Sequence, residues 1–132
     1  MNAAADFGTI RVLLADDDKR YAAALRVLIE EQPELTVVAL AYDGVETIDL
    51  ADELSPDAVV VDLHMPNMDG VTAIRKLREA HPLICLIALT GDESPAIHDE
   101  ATTAGADDVL VKGQMLEALV ERLKQARDRE SR

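Results

Sequence analysis

The chain has 132 residues, 48% of them hydrophobic, which suffices for one domain with a packed core and argues against disorder over most of its length. Thirteen basic residues stand against 26 acidic ones, a formal net charge of −13. That balance argues against nonspecific binding of nucleic acid and against attraction to an anionic membrane surface. Aromatic residues make up only 2%, so the core must be aliphatic. No apolar run approaches the roughly 20 residues of a membrane span. The segment Met1 to Thr9 has neither the basic nor the apolar region of a signal peptide. Cys85, the one cysteine, sits in an apolar run and reads as a small core hydrophobe. These features point to the cytoplasm.

Residues 1–9 are small and polar, and read as a loose N-terminus. Ile10 to Ala15 is the first predicted strand and runs into Asp16-Asp17-Asp18. Ala22, Leu25, Leu28 and Ile29 then share a helical face, which Pro33 terminates. Leu35 to Ala41 is the second strand. A turn at Asp43-Gly44 leads to a helical stripe of Val45, Ile48 and Ala51 to Leu54, broken by Ser55-Pro56. Ala58 to Val61 is a valine-rich third strand with Asp62 at its end. His64-Met65-Pro66 and Asp69-Gly70 are turn chemistry, and Val71, Ile74 and Leu77 mark the third helix. Leu83 to Leu89 is apolar throughout, as a central strand covered on both faces requires; it ends in Thr90-Gly91-Asp92. Ser94-Pro95 reads as an N-cap with proline at the first helical position, and Gly105 as the end of that helix. Val109 to Val111 is a short fifth strand followed by Lys112-Gly113. Leu116, Leu119, Val120 and Leu123 form the last stripe, and residues 125–132 read as a fraying tail.

Five strand-helix pairs with short connections imply one parallel sheet with helices on both faces. At this length the expected fold class is α/β, a flavodoxin-like (βα)5 doubly wound sheet of order 2-1-3-4-5 over residues 10–124. Its switch point lies between the first and third strands, which carry Asp16-Asp17 and Asp62.

The polar residues singled out stand at carboxyl ends of predicted strands: Asp16 and Asp17, Asp62, Thr90 and Lys112. In a parallel sheet those ends share one edge, so the residues converge without special folding. Three close carboxylates repel, and a hard divalent cation resolves the conflict. Oxygen donors without a nearby cysteine or histidine pair suit Mg2+ better than zinc. Lys112 adds a positive donor for a phosphoryl oxygen and Thr90 a hydroxyl. A carboxylate nucleophile, a metal, a cation and a hydroxyl fit transfer of a phosphoryl group onto Asp62, since that chemistry needs mainly positioning and charge neutralisation. Each residue alone has an ordinary reading: Asp18 as a helix cap, Thr90 as a turn residue, Lys112 as solvated surface. Their joint placement at matched strand ends favours the chemical one.

The sequence resembles the receiver domain of bacterial two-component response regulators. The resemblance covers about Ile10 to Leu123 and rests on Val12-Leu13-Leu14-Ala15-Asp16-Asp17, Val61-Asp62-Leu63-His64-Met65-Pro66-Asn67-Met68-Asp69-Gly70, Leu89-Thr90, Ala104-Gly105-Ala106 and Lys112. The wording of the later motifs is most similar to receivers that precede a helix-turn-helix output domain, and no output domain is expected in these residues. The resemblance implies that Asp62 is the phosphoacceptor. It implies that Asp16, Asp17, Asp62 and the backbone carbonyl of His64 hold Mg2+, with Mn2+ as a substitute, and that Thr90 and Lys112 bind the phosphoryl group. The implied donor is a sensor histidine kinase or a phosphotransfer protein, touching the first helix and the strand-five loop near Tyr21, Ala22 and Gly113-Gln114. Output would run through a homodimer, a separate output protein or a missing domain. A dimer would use the face of the fourth helix, fifth strand and fifth helix, or the first and fifth helices. The chain would be no enzyme beyond its own phosphorylation and slow dephosphorylation.

Two positions depart from the family pattern. Receivers usually carry Tyr or Phe three residues before the lysine, where this chain has Val109, and many carry proline after it, where this chain has Gly113. An aromatic rotamer switch cannot operate at Val109, and the cis bond common after the lysine is not expected. His64 and Asp92 flank the acceptor and Thr90, where they are expected to tune the phosphate lifetime. His64, His81 and His98 are otherwise read as solvated residues. The competing readings are a phosphate-independent receiver-like binding module and an aspartyl-phosphate phosphatase of another fold. The intact set of Asp16, Asp17, Asp62, Thr90 and Lys112 speaks against the first. The second leaves the motif around Asp62 unexplained.

Overall fold

The computed structural model describes residues 9–91, 94–113 and 116–126. Strand and helix alternate as β1 (Ile10–Ala15), α1 (Lys19–Glu30), β2 (Leu35–Ala41), α2 (Gly44–Leu54), β3 (Ala58–Asp62), α3 (Gly70–Ala80), β4 (Cys85–Thr90), α4 (Pro95–Ala104), β5 (Asp108–Val111) and α5 (Leu116–Lys124). All pairings are parallel, in the order β2-β1-β3-β4-β5. This is the expected flavodoxin-like arrangement. β1, β3 and β4 are interior strands and read as almost unbroken aliphatic runs, because both faces are covered.

Period-two alternation along the strands divides the core. Ile10, Val12, Leu14, Val60 and Ile87 face Leu25 and Ile29 of α1 and Leu119 and Leu123 of α5. Leu13, Ala15, Val59, Val61 and Leu86 face Ala51 of α2, Ile74 and Leu77 of α3, and Ala101 of α4. Cys85 is buried in the first of these clusters, as expected.

Helix starts follow local capping chemistry. Asp18 accepts from the Arg20 and Tyr21 N–H groups, Asp43 from Glu46 and Asp69 from Thr72, each satisfying an N-terminal donor of the helix it precedes. Ser94 takes the N-cap position and Pro95 the first turn, although the serine side chain makes no capping bond. Gly105 ends α4 at φ 126°. No helix among the described residues is long and apolar enough to cross a membrane.

The departures from expectation are local. β4 begins at Cys85, not Leu83, and Leu83 is 63% exposed: the chain is still turning there, with the Ile84 N–H bonded to the His81 carbonyl. Leu28 and Val45, expected on apolar faces, both lie partly in solvent. Each sits at the margin of its stripe, where 100° per residue carries it off the sheet. Ala22, placed near a partner contact, is buried on the inward face of α1, so that expectation fails at this residue. His98 is half-buried with its Nε2 enclosed, and His81 pairs with Asp52 at 2.9 Å; neither is a freely solvated histidine. Asp92, Gln114 and residues 127–132 lie outside the described residues.

Candidate functional site

Four strand ends assemble the site. β1 hands over to Asp16, whose N–H donates to the Ala41 carbonyl at 2.9 Å and so extends the ladder by one residue. β3 ends on Asp62 and β4 on Thr90, while β5 hands over to Lys112, whose N–H donates to the Thr90 carbonyl at 2.8 Å. Asp62 lies opposite Leu89 and Thr90 opposite Val111 in the sheet register. The edge that carries these residues is therefore set by backbone pairing.

Asp16, Asp17 and Asp62 each offer a carboxylate oxygen, and the three oxygens lie within 4.8 Å of one another. Asp16 and Asp62 are buried, at 4% exposure each, while Asp17 faces solvent. Every oxygen of the two buried carboxylates has a donor. Asp16 Oδ1 accepts from the Asp18 N–H at 2.9 Å, and its Oδ2 from Lys112 Nζ at 2.8 Å. Asp62 Oδ1 accepts from the His64 N–H at 3.1 Å, and its Oδ2 from Lys112 Nζ at 3.2 Å. Burial pushes the Asp62 carboxyl above the usual range; the His64 N–H opposes the shift, the Asp16 charge adds to it, and Lys112 opposes it again. Burial alone would lower the Lys112 ammonium, but its bonds and charge interactions with Asp16 and Asp62 outweigh that and hold it above the usual lysine value.

The loop after β3 is tied down at both ends. The Leu63 N–H donates to the Leu89 carbonyl at 2.9 Å, and the Gly70 N–H to the Leu63 carbonyl at 3.2 Å. A Cβ on residue 70 would stand 2.5 Å from both the Asp62 carbonyl oxygen and the Leu63 Cα. Only glycine lets α3 start this close to the strand end that carries Asp62.

The structure thus brings Asp16, Asp17, Asp62 and Lys112 together and sets Thr90, fully buried, at the adjoining strand end. His64 contributes its backbone to Asp62 and leaves its side chain exposed. Sequence reasoning missed one neighbour. The Tyr21 ring centroid lies 4.5 Å from Lys112 Nζ, and burial raises the Tyr21 phenol, opposed by the lysine charge. Its place in the first turn of the helix after Asp16-Asp17 was the available signal.

Comparison with known proteins agrees with this geometry. The family model described as the response regulator receiver domain matches residues 12–124. The chain belongs to that family. It is 33% identical over 127 residues to a protein-glutamate methylesterase/protein-glutamine glutaminase of Thermotoga maritima, covering 89% of this chain and 37% of that protein. It is 37% identical over 115 residues to the response regulator MprA of Mycobacterium sp. strain KMS, covering 87% of this chain and 49% of that protein. The chain thus spans less than half the length of these curated relatives. Among solved structures, the response regulator domain of Thermotoga maritima CheB superposes with a TM-score of 0.84 at 33% identity, covering 91% of this chain and 97% of that one. The REC domain of AraT from Geobacillus stearothermophilus gives 0.83 at 34% identity, covering 94% and 99%. As a receiver domain the chain is a module of phosphorylation-controlled signalling. Nothing in these likenesses favours the phosphate-independent alternative.

Proposed function

We propose that this receiver domain takes a phosphoryl group onto Asp62 from a phosphohistidine of a sensor histidine kinase or phosphotransfer protein, in a reaction that depends on Mg2+, with Mn2+ as a substitute. The observation that carries this reading is the convergence of Asp16, Asp17 and Asp62, bridged by the Lys112 ammonium. Three carboxylates and one ammonium leave two formal negative charges, and all the donors are oxygens. A hard divalent cation matches both the charge and the donor type. In this reading Asp16, Asp17, Asp62 and the His64 backbone carbonyl hold that cation, which when bound neutralises charge on the phosphoryl oxygens.

The protein's own part is nucleophile and clamp. A carboxylate oxygen of Asp62 attacks phosphorus, the P–N bond of the donor breaks with its electron pair returning to the histidine ring, and an acyl phosphate remains on Asp62. Lys112, 3.2 Å from Asp62 Oδ2, pairs with the incoming charge, and the Thr90 hydroxyl donates to another phosphoryl oxygen. His64 and Asp92 tune hydrolysis of the product. The new group adds about −1.5 to −2 charge and biases the loops after β4 and β5, a population shift read by a homodimer, a separate output protein or an attached domain. The chain acts in the cytoplasm and catalyses nothing beyond its own phosphorylation and slow dephosphorylation. The methylesterase activity in its relatives' names is theirs. The donor protein docks near Tyr21 and Gly113, which border one cleft between α1 and the β5–α5 turn.

Intact mass after incubation with acetyl phosphate and Mg2+ tests the reading. One added phosphoryl group is expected in the wild type, abolished by a chelator and absent in Asp62→Ala. No gain in the wild type, together with no binding of beryllofluoride, refutes it and leaves the phosphate-independent module. A gain that survives Asp62→Ala moves the acceptor elsewhere.

A further inference from the structure

We infer that Tyr21 is a positioning residue for Lys112: its ring holds the ammonium over the site carboxylates and joins that ammonium to the cleft between α1 and α5. The role rests on the phosphoacceptor reading above.

Three groups surround Lys112 Nζ: Asp16 at 2.8 Å, Asp62 at 3.2 Å and the Tyr21 ring centroid at 4.5 Å. A lysine side chain is a flexible stem carrying a point charge and has many rotamers to lose. Val109, three residues earlier, packs in the core cluster that holds Ala88 and Ala101. Among the described residues, Tyr42 stands with Lys19 and Tyr21 supplies the aromatic face at Lys112. Half-buried, the ring offers its negative π-face to a partly desolvated cation, the setting in which such contacts are strongest.

The ring is placed by the site itself. Asp16 Oδ1 accepts from the Asp18 N–H, and Asp18 Oδ1 accepts from the Tyr21 N–H at 3.1 Å. One Asp16 oxygen thus fixes the turn that carries Tyr21, and the other holds the lysine that Tyr21 covers. The ring also lines a cleft of about 240 Å³ with Ala24, Leu25, Leu28, Gly113 and Leu116. The ring thus links the ammonium over the acceptor to one wall of this cleft.

The test pairs two measurements on the full chain. The Lys112 ε-methylene resonance, recorded without phosphoryl donor, reports the ring current, and intact mass against time with acetyl phosphate and Mg2+ reports acceptance. The wild type and Tyr21→Phe are expected to show an upfield-shifted methylene, and Tyr21→Leu an unshifted one. Tyr21→Leu should accept about three- to tenfold more slowly, the range of a partly desolvated cation–π contact, and Tyr21→Phe should restore the rate. Tyr21→Met serves as a second ring-free variant if the leucine protein does not fold. Equal rates in the phenylalanine and leucine variants, or a methylene that does not move on losing the ring, overturn the assignment. A wild type that takes up no phosphoryl group removes the function reading and this role with it. An unshifted lysine in a protein that is phosphorylated removes this role alone.

Discussion

Arg78 gives the sharpest test of what holds the lysine-bearing strand in place. From the last turn of α3 its Nε and Nη2 reach the Gly105 carbonyl at 3.1 and 2.8 Å, and Nη1 reaches the Pro82 and Ile84 carbonyls at 2.9 and 2.8 Å. Nη2 also pairs with Asp107 Oδ2 at 2.9 Å, and the same oxygen accepts from the Leu86 N–H. One guanidinium thus joins the end of α3, the start of β4 and the turn into β5. The planar fork is what makes this geometry available to arginine and not to lysine.

Replacing Arg78 by methionine keeps much of the stem and removes the head. Asp107 and the Gly105 and Ile84 carbonyls lose donors in a place water reaches only in part, the two paired side chains being 21% and 14% exposed. Removing one partner of a fully buried pair costs about 3–5 kcal/mol. Partial exposure and the remaining Leu86 donor reduce that to roughly 2–4 kcal/mol. For a domain of this size the melting temperature should fall by roughly 7–14 °C. Urea denaturation at unchanged m-value checks the figure. Arg78→Lys should recover less than half of the loss, and a double-mutant cycle with Asp107→Asn should show coupling of about 1 kcal/mol or more. A methionine variant within about 0.5 kcal/mol of wild type, the range of an ordinary surface change, refutes the clamp and leaves the β4–β5 ladder alone to hold the strand.

Gly70→Ala drives a methyl into the Asp62 carbonyl and the Leu63 Cα, so denaturation should show a loss of about 1–3 kcal/mol and phosphoryl acceptance should fall with it. Gly113→Ala meets no atom but must hold φ +91°; a loss of about 1 kcal/mol, with no loss for Gly91→Ala, would assign the cost to the backbone. Asp43 is held below the usual carboxylate range by the Glu46 N–H and the Asn67 side chain. Its stabilising effect is therefore present above the unfolded carboxyl pKa and lost as pH falls through the lower folded value. Asp43→Ala should lower the urea midpoint at neutral pH and leave it unchanged below the carboxylate range.

Much of the fold was legible because each element carried its own punctuation. Asp18, Asp43 and Asp69 cap the helices they precede, and Pro33 and Ser55-Pro56 fall in the breaks between elements. The strand order follows from strict alternation, which leaves few topologies for a short parallel sheet. What stayed illegible were residues whose burial depends on a side-chain contact and not on the local apolar pattern. Leu83 is as apolar as the residues of β4, but the Arg78 bonds to the Pro82 and Ile84 carbonyls hold residues 82–84 in a turn. Nothing in the local pattern announces a donor several residues back.

The site was legible for a different reason. Asp16, Asp62, Thr90 and Lys112 stand where strands end, and in a parallel sheet sequence position at a strand end is already spatial position. Tyr21 lies on a helix, where position along the chain does not say which way a ring turns. Its approach to Lys112 depends on Asp18 fixing the first turn of that helix. The family aromatic is absent at Val109, so a reading confined to aligned motif positions finds no aromatic partner for the switch. A reading from contacts finds one on another element. The two readings predict opposite results for Tyr21→Leu at unchanged Val109: no effect on phosphoryl acceptance in the first, a slowing relieved by Tyr21→Phe in the second.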